Sequence, residues 1–413
     1  MKALHINTDE SRGGAARSAN RLYAAQRIVG TDARMLVLRR STRDPNVDSV
    51  PLNRLQRLIR RRVIHLDRPS KRAYPEYRGG DWSTGRVSTP VLGYLERARP
   101  DVVNLHWLGG GMLSVEALAR IRAPIVWTLH DMWAVTGGCH YAGSCVLYRT
   151  GCGSCPQLRS TQPRDISAST WERKRRSWRD LNLTIVTPSR WLADIVKESP
   201  ILGGYRTEVI PNAIDTQVFR PFNAAFARDV LRLPQDKTLI LFGAQHIDDE
   251  RKGFAYLSKA LTLLPERDDV ELVLFGVSQP VLETNLKAHH VGTIDNDQLL
   301  ALLYSAADVF VAPSVQDNLP NTVMEALTCG TPSVGFHIGG MPDLIDHQQS
   351  GYLARPLDAE DLAHGISWSL ANRAALGEHA RAEAVSRYDS MQIAARYVGL
   401  YTEIIGDRFG RVS

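Results

Sequence analysis

The strongest constraint in this chain is a pattern that runs once and then starts again. Short apolar runs rich in Val and Ile alternate with segments of helical periodicity. In the first half the runs are Ala3–Asn7, Met35–Leu38, Asp101–His106, Pro124–His130 and Leu183–Thr187. Helical patterns such as Ser18–Val29, Val115–Arg120 and Trp191–Lys197 lie between them. The alternation resumes at Thr238–Phe242, followed by Phe254–Leu264, Val270–Phe275, Gln298–Ala306, Val309–Ala312, Thr322–Leu327 and Ser333–Phe336. Strands alternating with helices predict a parallel sheet covered on both faces. The predicted class is therefore α/β, with two doubly wound, Rossmann-like domains in tandem. The join falls near Ile201–Val218, where Pro and Gly punctuate the chain. The expected domains are 1–205 and 206–389, with a terminal helix over 390–413 packing back on the first. Arg40–Asp81 has little periodicity and reads as an insertion carrying one basic helix.

Composition narrows the class. The 413 residues suit two or three domains, and 44% hydrophobic with 23% charged residues excludes bulk disorder. No run of about 18 apolar residues occurs, so no transmembrane helix is expected. The start, MKALHINTDESRGG, turns polar after Asn7, too soon for a signal-peptide core, so a cytoplasmic location is expected. The net charge of +6 fits an anionic ligand or membrane surface without requiring nucleic acid. That charge is uneven, since residues 52–78 hold nine Lys and Arg against Asp67 and Glu76. In NRLQRLIRRRVIHL, Leu55, Leu58, Ile59 and Val63 recur at helical spacing between arginines. Such a helix suits either an anionic membrane, giving peripheral contact at its inner face, or plain solvation on the first domain.

Ligands of open parallel sheets bind outside the carboxyl ends of the strands, and two facing domains would leave a cleft there. The informative residues fall just after strands. Gly13 and Gly14 follow the first one and open a helix, where bare backbone N–H groups can approach an anion. They equally suit a plain tight turn. His130 and Asp131 end a buried strand, and His130 there can orient a hydroxyl or phosphate or serve only as a core histidine. Arg251 and Lys252, just before Gly253, have the make-up of a diphosphate clamp. The neighbouring Asp248, Asp249 and Glu250 make a solvated charge cluster the simpler reading of those two alone.

The run VAPSVQDNLPNTVMEALTCGTPSVGFHIGGMPDLI is the most specific. Asp317 lies in the loop after a strand, and Leu319, Pro320 and Asn321 start a helix whose N–H groups suit a phosphate. Glu325 follows eight residues after Asp317. Two carboxylates are thus placed at different depths of one pocket, the deeper for a ribose and the outer for a sugar. An ordinary capped helix would not need this set of residues.

This run resembles the signature of retaining nucleotide-sugar transferases of glycosyltransferase family 4, which have the GT-B architecture of two Rossmann-like domains facing across a cleft. The resemblance rests on PS at 313–314, LPNTVMEALTCGTPSV at 319–334, GG at 339–340 and GYLARPLD at 351–358. VIPNAID at 209–215, TPSRWLAD at 187–194, RKG at 251–253, HD at 130–131 and GGAA at 13–16 extend it over nearly the whole chain. Two positions depart from the family pattern: Asp317 replaces the first of two glutamates, and Gly243-Ala244 replaces Gly-Arg, leaving the clamp to Arg251 and Lys252. A closer likeness, from Trp127 to Gln157, is to colanic-acid-type exopolysaccharide transferases.

The resemblance implies transfer of a sugar, with retention, from a nucleotide-diphosphate sugar to a hydroxyl of a glycan or polyprenyl-linked acceptor in surface polysaccharide synthesis. Arg251, Lys252 and Leu319–Asn321 would hold the diphosphate, Glu325 the ribose and Asp317 the donor sugar. Gly14 would approach the diphosphate, His130 would orient the reacting sugar, and no catalytic metal would be needed. Cys139, Cys145, Cys152 and Cys155, separated by five, six and two residues, have a spacing that allows a structural zinc site, with His140 as a substitute ligand. Four reduced thiols, or a local disulfide, are the alternatives; Cys329 reads as core. Rival readings are a nucleotide-sugar 2-epimerase or a phosphorylase of the same fold, or a zinc-containing nucleic-acid binder, which would leave the donor motif unexplained.

Overall fold

A computed structural model describes residues 1–77, 80–243, 249–265, 268–276, 284 and 286–410, with side chains to 406. Arg78, the last of the nine basic residues counted in 52–78, and Ala244 and Asp248 lie outside the described residues. The chain divides into two compact units, Met1–Ile210 with Met391–Ser413, and Pro211–Ser390. The first boundary lies five residues past the one expected from sequence.

The first unit holds seven parallel strands: β1 (Lys2–Asp9), β2 (Asp32–Arg39), β3 (Val47–Ser49), β4 (Val102–Leu105), β5 (Ile125–Thr128), β6 (Leu183–Thr187) and β7 (Arg206–Val209). Their order is β3-β2-β1-β4-β5-β6-β7. β1 is central and buried beyond its first residue, as expected for a parallel strand covered on both faces. Register pairs His5 with Met35 on one side and Asn104 on the other. Strand alternation then sorts the faces. Leu4, Ile6, Val103, Leu105 and Trp127 join a core with Trp133 and Trp178. The opposite face carries His5, Asn104 and Thr128, all buried. This polar layer is satisfied by the terminal helix Ser390–Gly410. Its Tyr401 hydroxyl accepts from Asn104 Nδ2 at 2.6 Å, and its Tyr397 hydroxyl lies 3.0 Å from that of Thr128. Buried polar groups need such partners, so the polar side of the sheet specifies where this helix docks.

The supposed insertion contributes the edge strand β3 and a helix, Arg54–Val63. The helix is opened by a capping box in which Asn53 and Gln56 satisfy each other's backbone N–H.

The second unit holds six parallel strands: β8 (Thr238–Gly243), β9 (Val270–Phe275), β10 (Ala288–Gly292), β11 (Val309–Ala312), β12 (Ser333–Phe336) and β13 (Gly351–Ala354). Their order is β10-β9-β8-β11-β12-β13. Alternation is again visible in the packing. Leu239, Leu241 and Phe310 enter one core, and Ile240, Phe242, Val309 and Val311 the other. Among the described residues no helix is long and apolar enough to cross a membrane.

Candidate functional site

In the second unit the residues after β8 and β11 meet. Asp249 caps a single turn, Glu250–Lys252, by accepting from Arg251 N at 3.0 Å. Gly253 ends that turn with φ +73°, and a Cβ there would lie 1.8 Å from the carbonyl oxygen of Pro313. Only glycine allows this approach. The loop after β11 is tied to the same turn, because Val315 N donates to the carbonyl of Arg251 at 2.9 Å.

The clamp residues converge on Asp317. Lys252 Nζ donates to Asp317 Oδ2 at 2.6 Å, and Arg251 Nη1 reaches the same oxygen at 3.1 Å. Arg251 also bonds the Gln316 carbonyl and Asp249 Oδ2. Asp317 is only 7% exposed, and Asn318 N donates to its second oxygen at 3.0 Å. Burial pushes this carboxyl up, but the charges of Lys252 and Arg251 prevail and hold it below the usual range. Sequence placed Asp317 against the sugar. The structure engages its carboxylate with the two cations, which orients the clamp. Ion pairing with Asp317 distinguishes Arg251 and Lys252 from a solvated charge cluster.

The Asn321–Thr328 helix follows. Pro320 is its N-cap rather than its first residue, and no side chain caps it. Leu319 is buried beside it, and Asn321 Oδ1 accepts from Asn212 Nδ2 at 3.1 Å. Glu325 is 1% exposed and takes the Tyr304 hydroxyl at 2.9 Å. Tyr304 gave no sequence signal beyond a helical position. Thr331 Oγ1 donates to its carbonyl at 2.7 Å.

In the first unit Gly13 has φ +91° and caps the helix Gly14–Ile28 without a side chain. Ser18 Oγ donates to the Gly14 carbonyl at 3.0 Å. His130 is half-buried past the carboxyl end of β5, and its Nε2 lies 3.1 Å from His106 Nδ1. His106 in turn contacts His5, neither of which sequence reasoning marked. Asp131 pairs elsewhere, with His140 Nδ1 at 2.7 Å.

The four cysteines Cys139, Cys145, Cys152 and Cys155 line one cavity of about 20 Å³, roughly the room of a single water. All four are free thiols, which excludes the local disulfide. Among the described residues, however, no three His, Cys, Asp or Glu side chains are grouped to hold a metal ion. The residues as arranged do not fit the expected zinc. Burial pushes the Cys139 and Cys152 thiols up to about 12, and a metal would have to displace those protons. The loop is held by another device. Lys174, fully buried, donates to the carbonyls of Trp133 and Thr136, with its ammonium 3.7 Å from the Trp133 ring centre.

Comparison with known proteins decides the family. The profile of Glycosyltransferase Family 4 matches residues 12–218, just over half of the chain, and that of Glycosyl transferases group 1 matches 236–372. The chain belongs to glycosyltransferase family 4. One relative is the putative colanic acid biosynthesis glycosyl transferase WcaC of Escherichia coli K12, 29% identical over 270 residues, 62% of this chain and 64% of that protein. The chain thus spans somewhat under two thirds of that relative's length. Sucrose-phosphate synthase from Thermosynechococcus elongatus has the same fold, at TM-score 0.71 and 20% identity over 98% of this chain and 99% of that one. Anabaena HepE, solved with UDP and glucose, follows at TM-score 0.67 and 16% identity over 98% and 100%. The architecture is thus GT-B. The loop-and-helix motif runs from Pro313 to Gly340 with Asp317 in place of the first glutamate, and Ala244, the other departure from the family pattern, lies outside the described residues.

Proposed function

We propose that this glycosyltransferase moves a sugar from a nucleotide-diphosphate sugar to a hydroxyl of a glycan or polyprenyl-linked acceptor during surface polysaccharide assembly, with retention of configuration. The observation that carries the reading is the convergence of Arg251 and Lys252 on one buried oxygen of Asp317, beside the uncapped start of the Asn321–Thr328 helix. Two cations fixed in place beside a helix's positive end suit a diphosphate. They would stabilise the charge that grows on the leaving group as the glycosidic bond breaks. The diphosphate itself would assist in taking the acceptor's proton, so the chain's part is positioning and charge stabilisation. Glu325, steadied by Tyr304, would accept from the ribose hydroxyls. Gly14 would approach the diphosphate, Asp317 would set the clamp against the sugar, and His130 would meet a sugar hydroxyl. The likeness to WcaC, named for colanic acid biosynthesis, supports the surface polysaccharide.

The basic helix supports a peripheral contact with an anionic membrane, where a lipid-linked acceptor would be found. None of its residues is buried, and Leu55, Leu58 and Ile59 are 64%, 50% and 49% exposed among Arg54, Arg57, Arg61 and Arg62. Arg60 anchors it through the Gly110 carbonyl at 2.6 Å.

Thermal-shift measurements against UDP-, GDP-, ADP- and dTDP-sugars test the donor, with UDP-glucose tried first. A ligand at 100 times its Kd stabilises the protein by about 2.7 kcal/mol. Lys252→Ala should leave the chain folded, abolish that shift and lower turnover by roughly a hundredfold. Normal turnover in this variant would refute the clamp.

A further inference from the structure

Three histidines from three adjacent strands form a line through the first unit. His5 lies in β1, His106 directly follows β4, and His130 lies two residues past β5. His5 Nδ1 is 3.0 Å from His106 Nε2, and His106 Nδ1 is 3.1 Å from His130 Nε2. The ring planes are inclined by only 13° and 24°. At the inner end His5 Nε2 is 2.9 Å from Gln26 Oε1. Gln26 is fully buried, and its Nε2 donates to the Tyr401 hydroxyl oxygen at 3.2 Å. That oxygen also accepts from Asn104 Nδ2. At the outer end His130 is half-buried, at the edge of the sheet where ligands of parallel sheets bind.

The line has a direction. Burial pushes His5 and His130 down to about 4 and His106 well below its ordinary value, so all three rings are neutral near pH 7. A neutral imidazole has one N–H and one bare nitrogen. A carbonyl oxygen can only accept, so Gln26 Oε1 requires the proton on His5 Nε2. His5 Nδ1 is then bare and takes the Nε2–H of His106. His106 Nδ1 is bare in its turn and takes the Nε2–H of His130. Each tautomer fixes the next, and His130 is left with a bare Nδ1. The Gln26 amide lies with Nε2 on the Tyr401 oxygen and Oε1 on His5. The reversed amide, with the Tyr401 hydroxyl donating to Oε1, would invert every tautomer in the line, so the ring spectrum decides between the two.

We propose that Gln26 and Tyr401 are positioning residues that act through His5 and His106 to hold His130 as its Nε2–H tautomer, so that Nδ1 accepts a hydrogen bond from a sugar hydroxyl. The assignment of the partner as a sugar rests on the function proposed above; the tautomer does not. A hydroxyl donates to Nδ1 without a proton being transferred, and the ring stays neutral. A wrong tautomer would present N–H to that hydroxyl and force it to turn.

Nitrogen-15 NMR of the histidine rings tests this without any activity. The wild-type protein should show His130 protonated at Nε2 and bare at Nδ1. Gln26→Met and Tyr401→Phe should each give a mixture of tautomers at His130. In steady-state assays both should lower kcat by about tenfold or more, with nucleotide binding unchanged. A wild-type His130 that carries its proton on Nδ1 would overturn the proposal, as would variants that leave its tautomer unaltered. If Gln26→Met fails to fold, Tyr401→Phe and the wild-type spectrum still decide. The tautomer as expected with no transferase activity at all would sink the proposed function and leave the histidine line standing.

Discussion

Lowering the pH from 8 to 5 should destabilise the first unit through its buried histidines, and the size can be worked out. An unfolded histidine titrates near its ordinary value of 6.5, whereas His5 and His130 are pushed down to about 4 by burial. For His5 the Gln26 hydrogen bond opposes that shift, and for His130 the Asp131 charge does. A lowered pKa in a basic group means that the unfolded chain binds more protons between pH 4 and 6.5. Stability therefore rises with pH in that window and is lost as pH falls through it. At pH 5 an unfolded histidine is almost fully protonated and a folded one about a tenth. Each ring then contributes a loss of roughly 2 kcal/mol relative to pH 8. Near pH 5.5 the slope is about 1.2 kcal/mol per pH unit per ring. His5 is wholly buried and should deliver most of its share; His130 is half-buried, so water will reduce its share. Among the neighbours of His5, the Tyr23 hydroxyl stays protonated throughout, since burial and Asp44 push it up. Asp131, beside His130, is held below its ordinary value, by His140 among others, against the opposing pull of burial, and stays ionised until the pH is lower still. Urea unfolding at half-unit steps from pH 8 to 5 would measure the slope, with His5→Asn as the comparison. A wild-type curve that is flat across this window, or an unchanged slope in the variant, would refute the argument that the line is buried and neutral.

Two further outcomes are expected. Tyr304→Phe removes the hydroxyl from buried Glu325 and should cost about 1–3 kcal/mol, seen as a fall of several degrees in the melting midpoint together with weaker nucleotide binding. An unaltered midpoint would show that Tyr304 does not hold the carboxylate. Arg57→Glu with Arg61→Glu should abolish sedimentation with vesicles containing anionic lipid, at an unchanged midpoint, because both side chains are exposed and outside the packed core. Equal sedimentation with neutral vesicles would assign any binding to the apolar residues alone.

What could be read in the sequence depended on how local each signal was. Strands inside the sheets were legible because burial on both faces leaves apolar runs, unbroken in β11 and nearly so in β8. β3, β7 and β10 were not, since these edge strands carry exposed or half-exposed polar residues that dilute the run, as in Arg206–Val209; β13, Gly351–Ala354, is only four residues and holds no Val or Ile. The cysteine spacing suggested ligation, but spacing along a loop does not determine where sulfurs point. The turns around Gly151 and Gly153, with Cys152 itself at φ +55°, spread the thiols around a cavity instead of grouping them for a metal.

The candidate site shows the same division within its own chemistry. The clamp could be proposed from sequence because a single turn and a single loop carry it, and Gly253 marks their close approach. Its internal arrangement could not, because Asp317 is 65 residues from Lys252 and 66 from Arg251. A carboxylate in the motif reads as a sugar ligand; that it also touches both cations is visible only in the geometry. The histidine line lies further out of reach. Its links join residues 21, 101 and 24 positions apart, and its orienting tyrosine is 375 positions from Gln26. Each of these histidines, taken singly, looks like an ordinary polar residue in or beside an apolar strand. What makes them a unit is the parallel register, which brings His5 beside Asn104 and places β5 next to β4. A directional chain of hydrogen bonds needs every member in place before any one has a defined tautomer. Such a property belongs to the sheet, so its chemistry becomes visible only when the strands are laid side by side.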